Sequence, residues 1–212
     1  MPHKSQYAII QDAISHDDCD LICDLGKKLK KEKAEINGGK SSYMKHTRNS
    51  TISWLKDPKT DEETKLMGEI YSNIDSAVIA AAENMQLTHW NIIDRQNFQY
   101  TVYTKGQYYD WHRDTFDDPH PDEPWKGLVR KLSFTLMLND PSEYENGKFE
   151  LETSWRYGPH ESWNRHFVID DLFRVGKGSM IVFQSQLWHR VTPIKEGKRK
   201  SLVGWYLGPP FV

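Results

Sequence analysis

The sequence predicts an α+β chain, and three features of its 212 residues carry that reading. Apolar residues recur with a 3.6-residue period up to about Gln86. From about Asn91 the period shortens to two, and Gly and Pro punctuate the second part at short intervals. Short strands behind a helical first part predict helices packed on one face of an antiparallel sandwich or barrel. No repeat, low-complexity tract or Gly/Ser linker divides the chain, so 1–212 reads as a single domain. Its helical support spans about 1–90 and its β core about 91–212.

The first helix starts after Ser15, whose hydroxyl and the Asp18 carboxylate make a capping box with Asp in place of Glu. Cys19, Ile22, Cys23 and Leu29 then fall near one face. Ser50-Thr51-Ile52-Ser53-Trp54 reads as a short strand. A second, longer helix follows Thr60 as N-cap, with Asp61, Glu62 and Glu63 favourable in its first turn. Its stripe is Leu66, Ile70, Ile74, Ala77, Val78, Ala81 and Met85. Phe98, Tyr100 and Val102 alternate with polar neighbours, and Lys105-Gly106 marks a turn before Gln107–Trp111. Further strands are expected at Lys131–Leu138, Lys148–Leu151, Ser179–Phe183, Trp188–Val191 and Ser201–Leu207. Thr115–Lys126, rich in Pro and acidic residues, reads as an exposed loop.

Composition narrows the function classes. Lys and Arg number 28 against 30 Asp and Glu, a net charge of −2, which excludes the overall basic footprint of a nucleic-acid binder though not a local patch. Aromatics at 12% argue against disorder. The longest aliphatic run, Ala77–Ala82, is far short of the ~20 residues of a membrane span. The start lacks an apolar signal-like stretch, and two helix-spaced cysteines make neither a disulfide framework nor a zinc cage. The expectation is a reducing, cytoplasmic setting without membrane contact.

Nucleotide-loop, nucleophile-elbow and His-Glu-x-x-His motifs are missing, so the chemistry is sought in histidine and carboxylate. A His-x-Asp tripeptide on an extended strand puts two ligands on one face. A third ligand from a facing strand completes a 2-His-1-carboxylate triad, which holds non-haem Fe(II) and leaves positions open. Three such tripeptides occur. His16-Asp17-Asp18 sits at a helix N-terminus, where acids suit the dipole without any metal. His120-Pro121-Asp122 reads as a turn. Only His112-Arg113-Asp114 ends a strand-like segment. His189, between bulky neighbours in Leu187-Trp188-His189-Arg190-Val191, reads either as the third ligand or as a satisfied core histidine. Arg199 reads either as a solvated charge beside Lys198 and Lys200 or as a partner for a carboxylate.

Together these segments resemble a known family. Tyr103-Thr-Lys-Gly106-Gln107-Tyr-Tyr109-Asp-Trp-His112-Arg-Asp114 is similar to the Tyr-x-x-Gly-Gln-x-Tyr-x-x-His-x-Asp segment of prolyl 4-hydroxylase-type Fe(II)/2-oxoglutarate dioxygenases. His189-Arg-Val-Thr-Pro193 through Gly197-x-Arg199-x-Ser201-Leu-Val resembles that family's second motif, and Lys131–Pro141 its central strand. The family's Gly-Gly-Glu turn is here Asn146-Gly147-Lys148, with one Gly and the Glu absent. The resemblance runs in order over roughly residues 95–210.

It implies a double-stranded β-helix, a cupin-like jelly roll, with the helices supporting its major sheet. It implies Fe(II) on His112, Asp114 and His189, and the C5 carboxylate of 2-oxoglutarate on Arg199 and the Ser201 hydroxyl. Tyr103 falls where these enzymes place a tyrosine near the cosubstrate, with a plain core aromatic as its other reading. Thr135 shares a face with Ser133 and Met137 and is a further candidate for that pocket. The implied reaction consumes O2 and 2-oxoglutarate, releases succinate and CO2, and hydroxylates a substrate C–H; ascorbate is the candidate auxiliary reductant. A carboxylate at Asp114, in place of a small residue, favours hydroxylation over halogenation.

A peptide or protein side chain, prolyl or other, is the favoured substrate. A methylated nucleic-acid base or small metabolite stays open, as does a non-catalytic binding module. Lys40, Lys45, His46 and Arg48 are the candidates for a basic groove. The segments 36–50, 115–128 and 153–166, with Trp125, Trp155, Tyr157 and Trp163, are the candidate substrate loops.

Overall fold

The computed structural model describes residues 5–34, 48–115, 118–156, 162–168 and 175–211, with side chains unassigned over 153–156 and 162–168. Two helices, α1 (His16–Lys28) and α2 (Asp61–Asn84), pack against antiparallel sheets. The strands are, in chain order, β1 (Tyr7–Ile10), β2 (Glu32–Lys33), β3 (Arg48–Asn49), β4 (Thr51–Trp54), β5 (Asp94–Arg95), β6 (Gln99–Tyr103), β7 (Tyr108–His112) and β8 (Val129–Met137). They continue as β9 (Tyr144–Asn146), β10 (Phe149–Arg156), β11 (Ser162–Val168), β12 (Met180–Gln184), β13 (His189–Val191), β14 (Ile194–Gly197) and β15 (Arg199–Gly208).

The major sheet runs β1-β12-β8-β15-β6-β4-β2, with β5 pairing β15. A second sheet runs β11-β10-β13-β7-β3, and β9 and β14 form a separate ladder. This is the double-stranded β-helix architecture that the resemblance implies. Among the described residues no helix is long and apolar enough to cross a membrane.

Both helices start where the chain signals it. The Ser15 hydroxyl accepts from the Asp18 amide at 3.0 Å, and that of Thr60 accepts from the Glu63 amide at 3.1 Å, each satisfying a backbone donor left free by the first turn. Cys19, Ile22 and Cys23 on α1 and Ile70, Ile74 and Val78 on α2 are buried, as the 3.6 period requires. They close one core against the outer face of the major sheet, where Phe98, Tyr100, Leu132, Phe134, Leu136 and Leu202 point. Gly26 marks the tightest approach of α1. A side chain there would stand 2.5 Å from the Tyr100 ring carbon Cγ.

A second core lies between the two sheets, from Tyr103, Met137, Phe149, Leu151, Ile181, Phe183, Val191 and Ile194. The strand period of two separates these cores. On β8, Leu132, Phe134 and Leu136 face the helices, while Ser133, Thr135 and Met137 face the second sheet.

Three expectations need correcting. The first ninety residues are not purely helical beside one short strand, because β1 pairs with β12 and β2 with β4, extending both ends of the major sheet. The four residues of β1 are each only partly buried, and so short an edge strand leaves no periodic signal. Segment 153–166 is not simply a loop: β10 runs on to Arg156, β11 starts at Ser162, and Trp155 pairs with Trp163. Polar strand residues hid that hairpin, since its pairing rests on backbone bonds. Segment 36–50 likewise contains β3, paired with β7. Lys40, Lys45, His46 and Tyr157 lie outside the described residues. Residues 118–128 form the expected exposed connection between β7 and β8, within which Trp125 meets His120 edge-on at 5.6 Å.

Candidate metal centre

The second sheet brings the two motif histidines face to face. In the β7–β13 ladder His189 pairs directly with His112, and Asp114 follows where the chain leaves β7. Asp114 is fixed by its own backbone, whose amide donates to the Ser185 carbonyl at 3.0 Å. The result is a compact cluster. Asp114 Oδ1 lies 3.7 Å from His112 Nε2, and its Oδ2 lies 3.5 Å from His189 Nε2. Among the described residues no other group of three His, Cys, Asp or Glu side chains brings its ligand atoms so close.

Both imidazoles are held the same way. His112 Nδ1 donates to the Asp110 carbonyl at 2.7 Å and His189 Nδ1 to the Leu187 carbonyl at 3.0 Å. A carbonyl can only accept, so each ring carries a proton on Nδ1 and directs its Nε2 toward Asp114. Tyr109 stacks on His112, with centroids 3.4 Å apart and planes 10° from parallel, and Phe183 meets His189 edge-on at 4.7 Å.

Burial pushes the His112 imidazole well below its ordinary 6.5, and His189 adds to that shift. Burial alone would raise Asp114. The facing His189 and His112, then Arg130 and the Ser133 hydroxyl, overcome it and leave the carboxyl at about 2. A neutral His112 imidazole and an ionised Asp114 carboxylate are the protonation states in which these two groups bind a metal. The donor set of two imidazoles and one carboxylate fits a ferrous ion with open positions.

The cluster opens into a narrow cavity between the sheets, lined on its far wall by Tyr103, Thr135, Arg199 and Ser201. Register explains that wall. Arg199 pairs with Tyr103, Ser201 with Thr101 and Met137, and Val203 with Gln99 and Thr135, so every second residue of β15 faces inward. Arg199 is 1% exposed and no solvated charge. Its Nη1 donates to Ser201 Oγ at 3.1 Å and its Nη2 meets Met137 Sδ at 3.2 Å, while Nε has no partner. Among the described residues no carboxylate pairs with it. A buried cation so poorly matched fits an anionic ligand in the cavity, and the far carboxylate of a keto diacid is such a group.

Tyr103 is buried with its ring centroid 5.8 Å from the Arg199 guanidinium carbon, and Thr135 is buried on the neighbouring strand. The altered turn survives as well. Asn146 and Gly147 both take positive φ, 64° and 69°, and an added Cβ at Gly147 would run into Ile194 Cδ1, so backbone and neighbour together favour glycine there. Among the described residues the other two His-x-Asp tripeptides form no ligand cluster; His120 turns its Nδ1 to the Asp122 backbone.

Sequence reasoning missed several cavity residues: Gln99, Phe149, Phe183 and Trp205 also line it. Arg48, considered only for a basic groove, lines it too. Nothing local marks these residues, which meet only through strand pairing.

Comparison with known proteins agrees with this geometry. The family model of the 2OG-Fe(II) oxygenase superfamily matches residues 98–207. A PKHD-type hydroxylase of Psychrobacter sp. (strain PRwf-1) is 35% identical over 107 residues, which is 50% of this chain and 36% of that relative. The chain thus matches little more than a third of that relative's length. A prolyl-4-hydroxylase of Pseudomonas putida superposes with a TM-score of 0.63 at 18% identity, covering 95% of this chain and 92% of that one. A Trichoplax adhaerens prolyl hydroxylase, in complex with a hypoxia inducible factor oxygen degradation domain peptide fragment, gives 0.62 at 15% identity over 95% and 83%. With the matched segment running from before β6 through the jelly-roll core to β15, the chain belongs to the 2OG-Fe(II) oxygenase superfamily.

Proposed function

We propose that this protein is an Fe(II)- and 2-oxoglutarate-dependent hydroxylase of a C–H bond in a peptide or protein side chain. His112, Asp114 and His189 hold the ferrous ion, and Arg199 with Ser201 takes the C5 carboxylate of the cosubstrate. The observation that carries the reading is the buried Arg199 guanidinium, which has no carboxylate partner among the described residues and faces the same cavity as the His-Asp-His cluster. The bound ferrous ion supplies coupling of 2-oxoglutarate decarboxylation to substrate hydroxylation.

The chain's own residues do the rest. The Asp110 and Leu187 carbonyls hold both imidazoles in one tautomer, and the Tyr109 ring braces His112. Phe149, Phe183 and Val191 give the cavity an apolar wall that limits water around the ligand atoms. Tyr103 and Thr135 border the cosubstrate's place on neighbouring strands. The span 1–212 acts as one unit, supported by β1, β2 and β4, which complete the same sheet that carries Arg199.

The peptide substrate class rests on two structural neighbours, a prolyl-4-hydroxylase and a prolyl hydroxylase solved with a peptide fragment. The test is anaerobic titration with Fe(II) and 2-oxoglutarate, followed by succinate release in air over peptides, nucleic acids and metabolites, with ascorbate present. Stoichiometric iron binding with peptide-stimulated succinate is the expected result. Stimulation by methylated bases alone would move the substrate to nucleic acid. Absence of 2-oxoglutarate binding would leave a metal-binding jelly roll.

A further inference from the structure

One cation on the cavity lining has no task in that reading. Arg48 sits on β3, the edge of the second sheet, opposite Tyr109 in the ladder. Its guanidinium carbon lies 4.5 Å from the Tyr109 ring centroid, and that ring stacks on His112. Its Nε donates to Ser50 Oγ at 3.0 Å, which fixes the plane of the fork, while its two Nη groups have no partner among the described residues. Arg48 is half-buried, so it is held in place without being sealed off.

The charge around it is unbalanced. Among the described residues Asp114 is the only carboxylate lining the cavity, against the two arginines Arg48 and Arg199. Arg130, half-buried, touches the Asp114 carbonyl with Nη1 at 3.4 Å and adds a third positive charge. A ferrous ion and the 2-oxoglutarate dianion neutralise each other, so loading both leaves one carboxylate facing three guanidiniums. Such a surplus in a narrow, partly desolvated cleft attracts an anion. Arg199 is committed to the cosubstrate in the reading above and Arg130 to Gln96, Trp205 and the Asp114 backbone. Among the described residues of the cavity, Arg48 is left with both Nη groups of its fork available to pair with a carboxylate.

We infer that Arg48 is a specificity residue that binds a carboxylate on the substrate, beside the carbon presented to the metal. The inference rests on the oxygenase reading. The carboxylate has two possible sources, an acidic side chain within a peptide or the α-carboxylate of a chain end or free amino acid. Either way the apolar part of the substrate has Trp205 and Val203 to pack against.

The experiment uses the full chain loaded with Zn(II), which cannot turn over, and 2-oxoglutarate. Binding is measured by ligand-observed NMR for matched probes. One arm compares internal Asp and Glu peptides with their Asn and Gln counterparts. The other compares N-acetyl amino acids with their carboxamides. In at least one arm the acid should bind the parent at least about tenfold more tightly than the neutral partner, the scale of a charge-assisted hydrogen-bond pair. Arg48→Gln should erase that difference, Arg48→Lys should restore part of it, and 2-oxoglutarate affinity should be unchanged in both. Equal binding of acid and neutral probes to the parent overturns the inference, as does a preference that persists in Arg48→Gln. A parent that binds no 2-oxoglutarate overturns the oxygenase reading and this inference together; one that binds it without discriminating overturns the Arg48 assignment alone.

Discussion

His189 stands directly opposite His112 across the β7–β13 ladder, their ring centroids 4.0 Å apart. Two imidazoles that would repel each other if protonated are thus locked in neighbouring positions on one sheet, each with its Nδ1 proton donated to the carbonyl two residues earlier. That arrangement has use for a shared cation on the Nε2 side and little for two free histidines.

Iron binding should therefore depend on the cluster as a unit. The parent should bind one Fe(II) per chain. Asp114→Ala or His189→Ala should weaken it by more than about a hundredfold, beyond the 10–100-fold typical for loss of an outer partner. Anaerobic equilibrium dialysis with metal analysis reads this directly. Retention of parental affinity in both variants would dissolve the ligand assignment.

Arg199 separates a 2-oxoglutarate enzyme from any other iron protein. Removing one partner of a buried ion pair costs about 3–5 kcal/mol, so Arg199→Ala should weaken 2-oxoglutarate binding to the iron-loaded protein by at least about a hundredfold. Arg199→Lys should recover part, since an ammonium lacks the paired donors. Fe(II) affinity should hardly move. Equal 2-oxoglutarate affinity in parent and folded Arg199→Ala, by calorimetry, would remove the cosubstrate assignment.

Helix α1 meets the major sheet closely at Gly26, where any Cβ would run into the Tyr100 ring. Tyr100 is itself buried in the core between α1 and the sheet. Gly26→Ala should destabilise the fold by about 1–3 kcal/mol through overpacking, despite the better helix propensity of alanine. Urea denaturation of parent and variant checks it; an unchanged or raised midpoint would show that the contact relaxes freely.

The two thiols of α1 should be silent in the native protein. Burial is the main reason that Cys19 rises from its ordinary 9.0 to about 12, and burial raises Cys23 as well. Because the folded value is raised, the unfolded chain releases the proton first as pH increases. The contribution of Cys19 to stability is complete below pH 9 and is lost as pH rises through about 12, and that of Cys23 is lost in the same direction. Iodoacetamide at pH 8 should modify neither cysteine until denaturant is added, because the thiolate is the reactive form. Rapid native labelling, seen by mass spectrometry, would contradict the packing of α1 on the sheet.

Much of this molecule was legible in the linear chain because its signals are local. The caps at Ser15 and Thr60 act within one turn, and the stripe through Ile70, Ile74 and Val78 needs only a helix period to be seen. His112 and Asp114 are neighbours, so their common face follows from strand geometry alone. The family motifs added His189, Arg199 and Ser201 as a set, and all three lie on the cavity that also holds Asp114. The tertiary structure decided what depends on pairing between distant strands. Register set His189 against His112, Ser201 between Thr101 and Met137, and Arg48 against Tyr109. No local preference encodes such a register, because a backbone ladder accepts almost any side chain and the choice falls to burial on the two faces. Burial also settled Arg199, which beside Lys198 and Lys200 reads as one of three surface charges: β15 turns it inward, and the fold closes over it.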